Sequence, residues 1–96
     1  MYAVIFRAKV QNLDTQYSEM AQTLRDLAHS EFGCLDFISL TEGDQEIAIS
    51  YWPDEASIRR WKQHSDHLLA QTLGKEKWYS QYSVEITEIK RQYSST

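Results

Sequence analysis

The segment from Tyr2 to Val10 has apolar side chains at both odd and even positions. Successive side chains of a strand point to opposite faces, which places Tyr2, Val4, Phe6 and Val10 on one face and Ala3 and Ile5 on the other. This pattern predicts a strand that is buried on both faces. The fold must therefore cover the sheet containing this strand on both sides.

An amphipathic helix is predicted to follow the first strand. Asp14 is suited to cap its N-terminus, and apolar residues recur at intervals of three and four from Tyr17 to Ala28. Gly33 predicts the C-terminal end, because glycine readily adopts the positive φ that ends many helices.

A hairpin of two strands is predicted next. Residues 34–42 and 46–52 carry loosely alternating apolar side chains, and Glu42-Gly43-Asp44-Gln45 is a turn of hairpin type. Pro53 ends the second of these strands, and Asp54 is placed to cap a second helix that runs through Ile58 and Trp61.

The polar run at 64–67 interrupts the apolar face of this second helix before Leu68 resumes it. The sequence therefore predicts either a kinked helix or two short helices that end at Gly74. Residues 75–81 are predicted to be a short aromatic connection. The β-branched residues within 82–92 predict a final strand.

The resulting order, β-α-β-β-α-β, predicts a single α+β domain of ferredoxin-like type over residues 1–96. Two helices would cover one face of a four-stranded antiparallel sheet. The opposite face also carries apolar residues, and face-to-face packing of two such sheets in a homodimer would cover them and close an α/β barrel. The three Trp, six Tyr and three Phe agree with surfaces that a partner covers.

Charge and composition exclude several kinds of partner. The formal net charge is −4, and beyond Arg59, Arg60 and Lys62 there is no basic cluster, so nucleic-acid binding is not expected. No run of about 18 apolar residues could span a membrane, and the first residues lack the basic region of a secretory signal. We expect a cytoplasmic protein. Cys34, the single cysteine, gives no internal disulfide and no zinc or redox motif.

Four segments together resemble the antibiotic biosynthesis monooxygenase family, and the likeness covers nearly the whole chain. They are the first strand from Ala3 to Ala8, the element Phe32-Gly33-Cys34-Leu35, the strand from Ile47 to Trp52, and the stretch from Trp61 to His67. The resemblance implies a dimeric α/β barrel with a cavity between the helices and the sheet of each subunit.

The resemblance also implies the type of reaction, an oxygenation without a cofactor. Oxygenases of this family use no metal or flavin, because their phenolic, quinol or anthrone substrates can be deprotonated to an electron-rich carbanion that reduces O₂ itself. Such a site needs an apolar cavity, a group that takes the phenolic proton and polar groups that stabilise the anion. We therefore expect a small aromatic substrate and no resident cofactor.

The candidate catalytic residues are His64, His67, Trp61 and Tyr51. The two histidines are three residues apart, so they can share one helix face, and either could act as the base near neutral pH. Trp61 and Tyr51 would shape the pocket. The alternatives are a core position for Trp61 and a solvated or capping role for each histidine.

The candidate substrate-binding residues are Arg7, Trp52 and Trp78. Arg7 lies within an otherwise apolar strand, so it should find a carboxylate, solvent or an anionic ligand. Each tryptophan stands next to a tyrosine, and these pairs could stack on a substrate or fill the core or the dimer interface. No metal site is predicted, because His64 and His67 lack a further ligand on their helix face.

Two other functions stay open. A haem-degrading branch resembles this fold but adds an Asn on the first strand, a Trp on the second helix and an axial His near the end of that helix. This chain has the Trp, as Trp61, but Arg7 in place of the Asn and Gln71 or Thr72 in place of the His, which leaves His64 or His67 as the alternative ligand. The second is a non-catalytic dimeric module that binds a small apolar molecule or serves a stress role.

Overall fold

The computed structural model describes residues 1–12, 14–72 and 74–95, and the side chains of these residues outside 70–75. The elements in chain order are strand β1 (Tyr2–Val10), helix α1 (Thr15–Phe32), strands β2 (Asp36–Glu42) and β3 (Gln45–Trp52), helices α2 (Glu55–Thr72) and α3 (Gly74–Trp78), and strand β4 (Tyr79–Glu88). The strands form one antiparallel sheet in the order β2-β3-β1-β4. The ferredoxin-like α+β fold predicted from the sequence is confirmed.

Both predicted ends of α1 are confirmed. The Asp14 side chain accepts a hydrogen bond of 2.8 Å from the Tyr17 backbone N–H, which is otherwise unpaired in the first turn. Gly33 has a φ of 77°, and the next N–H, of Cys34, donates to the Ala28 carbonyl at 3.0 Å. The turn between β2 and β3 likewise contains Gly43 at a φ of 62°.

The second helix differs from the prediction. α2 runs without interruption through residues 64–67, so the predicted alternative of two short helices is wrong. Part of the polar run instead supports the helix, because Lys62 Nζ pairs with the Asp66 carboxylate one turn later at 2.8 Å. Leu73 lies outside the described residues, and Gly74 begins α3 instead of ending a helix.

The last strand begins earlier and ends earlier than predicted. β4 covers Tyr79–Glu88 instead of 82–92, and α3 occupies most of the predicted aromatic connection. The cause is Trp78, which is 1% exposed and packs with Val10 and Tyr17. Its burial fixes the start of β4, whose Tyr79 pairs with Val10 next to an irregularity in β1.

The core between the helices and the sheet consists of two clusters of buried residues. One contains Ala28, Cys34, Trp52 and Ile58, and the other contains Val10, Tyr17 and Trp78. Trp52 is fully buried, and its indole N–H donates to the Ser50 hydroxyl at 2.8 Å. The helices are thus held to the sheet at two separate places.

The face of the sheet opposite the helices carries exposed apolar side chains. Ile38, Leu40 and Ile47 are 50%, 74% and 40% exposed. Near the start of β1, by contrast, Ala3 is buried and Ile5 is half-buried, and a second pocket beside them is lined by Ile89, Arg91, Gln92 and Tyr93. We call the whole face of the sheet opposite the helices the outer face.

Within the described residues, no helix combines the length and the hydropathy that a membrane span requires.

Replacing Gly33 by Ala should lower the free energy of unfolding by about 1–2 kcal/mol, because a side chain at positive φ strains the backbone. No atom lies within 4 Å of the position that the new Cβ would take, so strain should account for the whole effect. Chemical denaturation would measure it. Gly33→Asn is the control and should cost less, since Asn tolerates this conformation; an equal cost for both variants would contradict this explanation.

Candidate active site

A cavity of about 180 Å³ lies between α1, α2 and the helix-facing side of the sheet. For comparison, an engineered apolar cavity of about 150 Å³ binds one benzene molecule. The lining is mainly apolar, with Val4, Phe6 and Ala48 from the sheet and Leu24 from α1. The cavity therefore matches an apolar molecule with one ring.

Each helix contributes one stripe of side chains. From α1 come Tyr17, Ala21, Leu24 and Arg25, and from α2 come Ile58, Trp61, Lys62, Ser65, Asp66 and Leu69. Residues three, four, seven or eight positions apart share one face of a helix, which is why these two sets point to the same space. The cavity is thus a direct product of the two amphipathic patterns.

The side of the cavity toward β4 is its most exposed part. Tyr82, Val84 and Ile86 line the cavity from the helix-facing side of β4, and they are 48%, 40% and 47% exposed. The two long helices leave this strand half uncovered. The cavity is therefore most open to solvent on this side.

A buried carboxylate and a buried phenol meet at one end of the cavity. Glu46 and Tyr17 are 8% and 7% exposed, both line the cavity, and the Tyr17 hydroxyl donates a hydrogen bond to Glu46 Oε2. Glu46 lies on the helix-facing side of β3, opposite Ala8 of β1 and Thr41 of β2. The sheet therefore presents a carboxylate to the cavity from its floor.

The surroundings of this pair keep the nearby phenols neutral. Burial raises the pKa of Tyr17 well above its ordinary value, and the hydrogen bond to Glu46 raises it further. Burial and the charge of Glu46 also raise the pKa of Tyr79 from 10.0 to about 12. The site therefore places the Glu46 carboxyl group beside a tyrosine hydroxyl that stays a hydrogen-bond donor at neutral pH.

Arg25 is the second polar feature of the lining. Its guanidinium Nη2 donates to the Ser39 hydroxyl at 2.5 Å, and its Cζ lies 5.5 Å from the centroid of the Phe37 ring. Its Nε is buried and has no hydrogen-bond partner among the described residues. The guanidinium thus lies beside the cavity with one donor, Nε, buried and unpaired, and another, Nη1, without a hydrogen bond to a described residue.

Among the sequence-predicted catalytic residues, Trp61 lines the cavity, where its ring lies 6.0 Å from that of Trp52. His64 is half-buried against Phe32, with ring centroids 5.3 Å apart, and His67 is exposed. Neither histidine belongs to the cavity lining as described. Tyr51 lies on the outer face, in register with Ala3.

The predicted substrate-binding residues do not converge on the cavity. Arg7 is exposed on the outer face, in register with Ile47. Trp52 belongs to one buried cluster, and Trp78 packs edge-on against Tyr17 at 5.4 Å in the other. The two tryptophans therefore support the cavity walls from behind.

Sequence reasoning missed Tyr17, Arg25 and Glu46 as site residues. A signal was present in the strand 46–52, where Glu46, Ala48 and Ser50 alternate with two isoleucines. Small and polar residues at the positions that should face the helices indicate a space that the core does not fill. Tyr17 had been assigned to the apolar stripe of its helix, and Arg25 gave no signal of its own.

For haem, an axial ligand would have to come from the residues that line this cavity. The lining as described includes no histidine, and the positions where an axial ligand is expected, Gln71 and Thr72, have side chains outside the described set. No three His, Cys, Asp or Glu side chains come together as a metal site in the part of the chain that the structure describes.

Comparison with known proteins places the chain in a family. No family model matches it. It is 36% identical over 92 residues to the uncharacterized protein YqjZ of Bacillus subtilis, covering 95% of this chain and 81% of that protein. It is 30% identical over 94 residues to the jasmonate monooxygenase ABM of Pyricularia oryzae, covering 93% of this chain but 43% of the longer fungal protein.

Solved structures share the fold. A mutant of SnoaB, a cofactor-independent oxygenase from Streptomyces nogalater, superposes with a TM-score of 0.77 at 14% identity, covering 98% of this chain and 97% of that one. A structure described as an antibiotic biosynthesis monooxygenase superposes with a TM-score of 0.62 at 17% identity, covering 93% and 98%. The fold is thus one that monooxygenases of this type use. The chain belongs to the antibiotic biosynthesis monooxygenase family, as its sequence resemblance predicted.

The raised pKa values can be tested by titrating the tyrosines through the ultraviolet absorbance of tyrosinate. The folded protein should hold Tyr79 neutral between pH 10 and about 12, whereas the denatured chain should ionise it near 10. The neutral tyrosine thus contributes stability that is fully present below pH 10 and is lost as the pH rises through about 12. Glu46→Gln should shift this titration to lower pH. Identical titration curves for the folded and denatured protein would contradict the assignment.

Proposed function

We propose that this chain is a cofactor-independent monooxygenase that acts on a small aromatic or quinol-type compound bound in the cavity. The observation that carries the proposal is the buried Glu46 carboxylate, hydrogen-bonded to Tyr17 at the wall of an apolar cavity of one-ring size. A general base has to lie within hydrogen-bonding reach of the proton that it takes, and the Glu46 carboxyl group lies at the wall of the cavity.

The proposed reaction begins when Glu46 takes the hydroxyl proton of a phenolic substrate. The resulting anion delocalises its charge onto a ring carbon, which reduces O₂ without help from a metal or flavin. Across the whole reaction a phenol and O₂ become a para-quinone and water. The substrate loses its hydroxyl hydrogen and the hydrogen on the para carbon, that carbon gains one oxygen atom, and the second oxygen atom leaves as water.

The residues around Glu46 supply the conditions that this reaction needs. Tyr17 stays neutral because its pKa is raised, so its hydroxyl can donate a hydrogen bond to the substrate anion once the carboxylate is protonated. Trp61 and Leu24 exclude water and shape the ring site. The sequence analysis predicted that His64 or His67 is the catalytic base. That prediction is to be tested alongside the assignment of Glu46.

The relatives support an oxygenase. SnoaB is described as a cofactor-independent oxygenase, and the fungal relative is described as a jasmonate monooxygenase. This chain spans less than half of the fungal protein, so the activity of that whole protein is not carried over. A non-catalytic binding module is the second candidate function, because the same apolar cavity could hold a ligand without oxidising it.

The proposal predicts that Glu46→Gln lowers oxygen uptake with single-ring phenols and quinols by roughly 10²–10⁴-fold relative to the unmodified protein. The amide keeps the shape of the side chain but accepts no proton. An oxygen electrode would measure uptake above the rate of autoxidation across a panel of such compounds. Glu19→Gln, the same change on the exposed side of α1, is the control and should leave uptake unchanged.

The same assay separates the competing assignments. If His64→Ala or His67→Ala stops oxygen uptake while Glu46→Gln does not, a histidine is the base and Glu46 is not. If compounds bind but none is oxidised, the protein is a binding module. Loss of uptake in the Glu46 variant, with binding retained, is the result that the proposal requires.

We also propose that two copies of the chain pack through their outer faces as a homodimer. Ile38, Leu40 and Ile47 form an exposed apolar group on this face, and burying them removes apolar surface from water. The arrangement would close the barrel that the family resemblance implies.

Ile47→Glu should convert the dimer to a monomer, because two like charges would be buried near the centre of the interface. Light scattering would give the mass, which is 11.3 kDa for one chain. Thr41→Glu lies on the opposite side of the adjacent strand and is the control that should stay dimeric. A monomeric unmodified chain, or a dimer that survives Ile47→Glu, would rule out this interface.

A further inference from the structure

We propose that Arg25 binds the carboxylate of the substrate, so that the cavity selects single-ring molecules that carry an acid group. This inference rests on the proposed function, which it narrows to one class of substrate. It makes Arg25 a specificity-determining residue.

The first argument is the lack of a counter-ion. The guanidinium contacts a neutral hydroxyl, that of Ser39, and the face of a neutral ring, that of Phe37. No carboxylate lies within 4.0 Å of it among the residues that the structure describes. A guanidinium that is partly withdrawn from water without a carboxylate partner is costly, and an anionic ligand would offset that cost.

The second argument is the unused donor. A guanidinium presents its N–H groups in a fixed plane that matches the two oxygens of a carboxylate. In Arg25, Nη2 is engaged with Ser39, whereas Nε is buried without a described partner. Nε is closed off by burial, but Nη1 is not among the buried atoms and makes no hydrogen bond to a described residue, so an acid group in the cavity would pair with Nη1.

The other cation of the lining is less suitable. Lys62 already pairs with Asp66 at 2.8 Å, and its side chain is 58% exposed, so water and a carboxylate both satisfy it. An anion would therefore gain more from Arg25 than from Lys62.

The position of Arg25 also fits the proposed chemistry. It lies eight residues after Tyr17 on α1, which corresponds to roughly 12 Å along the helix axis. Leu24 and Ala21 line the apolar space between them. A ring can therefore lie in the apolar middle, with an acid group toward Arg25 and a hydroxyl toward Glu46.

The test compares a matched acid and ester. Titration calorimetry with meta-hydroxyphenylacetate, whose carbon para to the hydroxyl keeps the hydrogen that the proposed reaction removes, and with its methyl ester should show that the acid binds at least about tenfold more tightly, since a charge-assisted contact is lost in the ester. Arg25→Gln should abolish this preference and leave the affinity for the ester unchanged. Arg59→Gln, which removes an exposed arginine from α2, is the control and should retain the preference.

Equal affinities for acid and ester in the unmodified protein, failure of the acid to bind, or a preference that survives Arg25→Gln would each overturn the inference. Thermal unfolding of each variant checks that it folds. If Arg25→Gln does not fold, Arg25→Lys provides the test, because lysine keeps the charge but loses the planar donor pair and should reduce the preference. An acid preference that depends on Arg25, without oxygen uptake, would overturn the oxygenase proposal and leave this inference standing.

Discussion

Two buried tryptophans set the distance between the helices and the sheet, and the site depends on that distance. Trp52 and Trp78 are 0% and 1% exposed and anchor separate clusters that each contact both long helices and the sheet. Because protein interiors are close-packed, side chains of this size hold the helices off the sheet at two places. Between them three of the lining residues are small, namely Ala21, Ala48 and Ser50. The space between the clusters therefore stays open as the cavity.

Strand β3 links this cavity to the outer face. Glu46 and Ala48 point to the helices, and Ile47 and Ile49 point away from them. Since side chains alternate along a strand, a shift of one residue would exchange the carboxylate of the site for an isoleucine. Anything that packs against the outer face and fixes β3 therefore also fixes the catalytic carboxylate proposed here, which gives a homodimer a role in the site without contributing a residue to it.

Sequence patterns that involve only a few neighbouring residues predicted the fold well. The site depends on contacts between residues that are far apart in the sequence, and it was predicted much less well. The caps at Asp14 and Gly33 depend on atoms within a few residues, so the sequence contains all the information that they need. Tyr17 and Glu46 are 29 residues apart and meet through the packing of α1 on β3, which no local pattern describes. His64 and His67 were predicted to be catalytic because an imidazole is a common base. Whether either histidine can act on a bound substrate depends on the side of α2 on which it lies. Trp61 lies in the cavity lining, on the inner face of α2 that its spacing from Ile58 defines, and its catalytic role stays a prediction.

The distribution of polar groups suits an oxygenation without a metal. Charge forms on the substrate only after proton transfer, so the site needs an acceptor and a donor at the same oxygen and little water elsewhere. In the proposed reaction Glu46 and Tyr17 would provide both functions in one hydrogen-bonded pair, because the carboxylate that takes the proton would release the tyrosine hydroxyl to the new anion. Leu24 and Trp61 keep the remaining space apolar, which favours O₂ over water beside the ring. A second strong charge near the reacting carbon would stabilise the anion so well that it could not reduce O₂. Arg25 lies two helical turns from Tyr17, so its charge can hold the substrate without this effect.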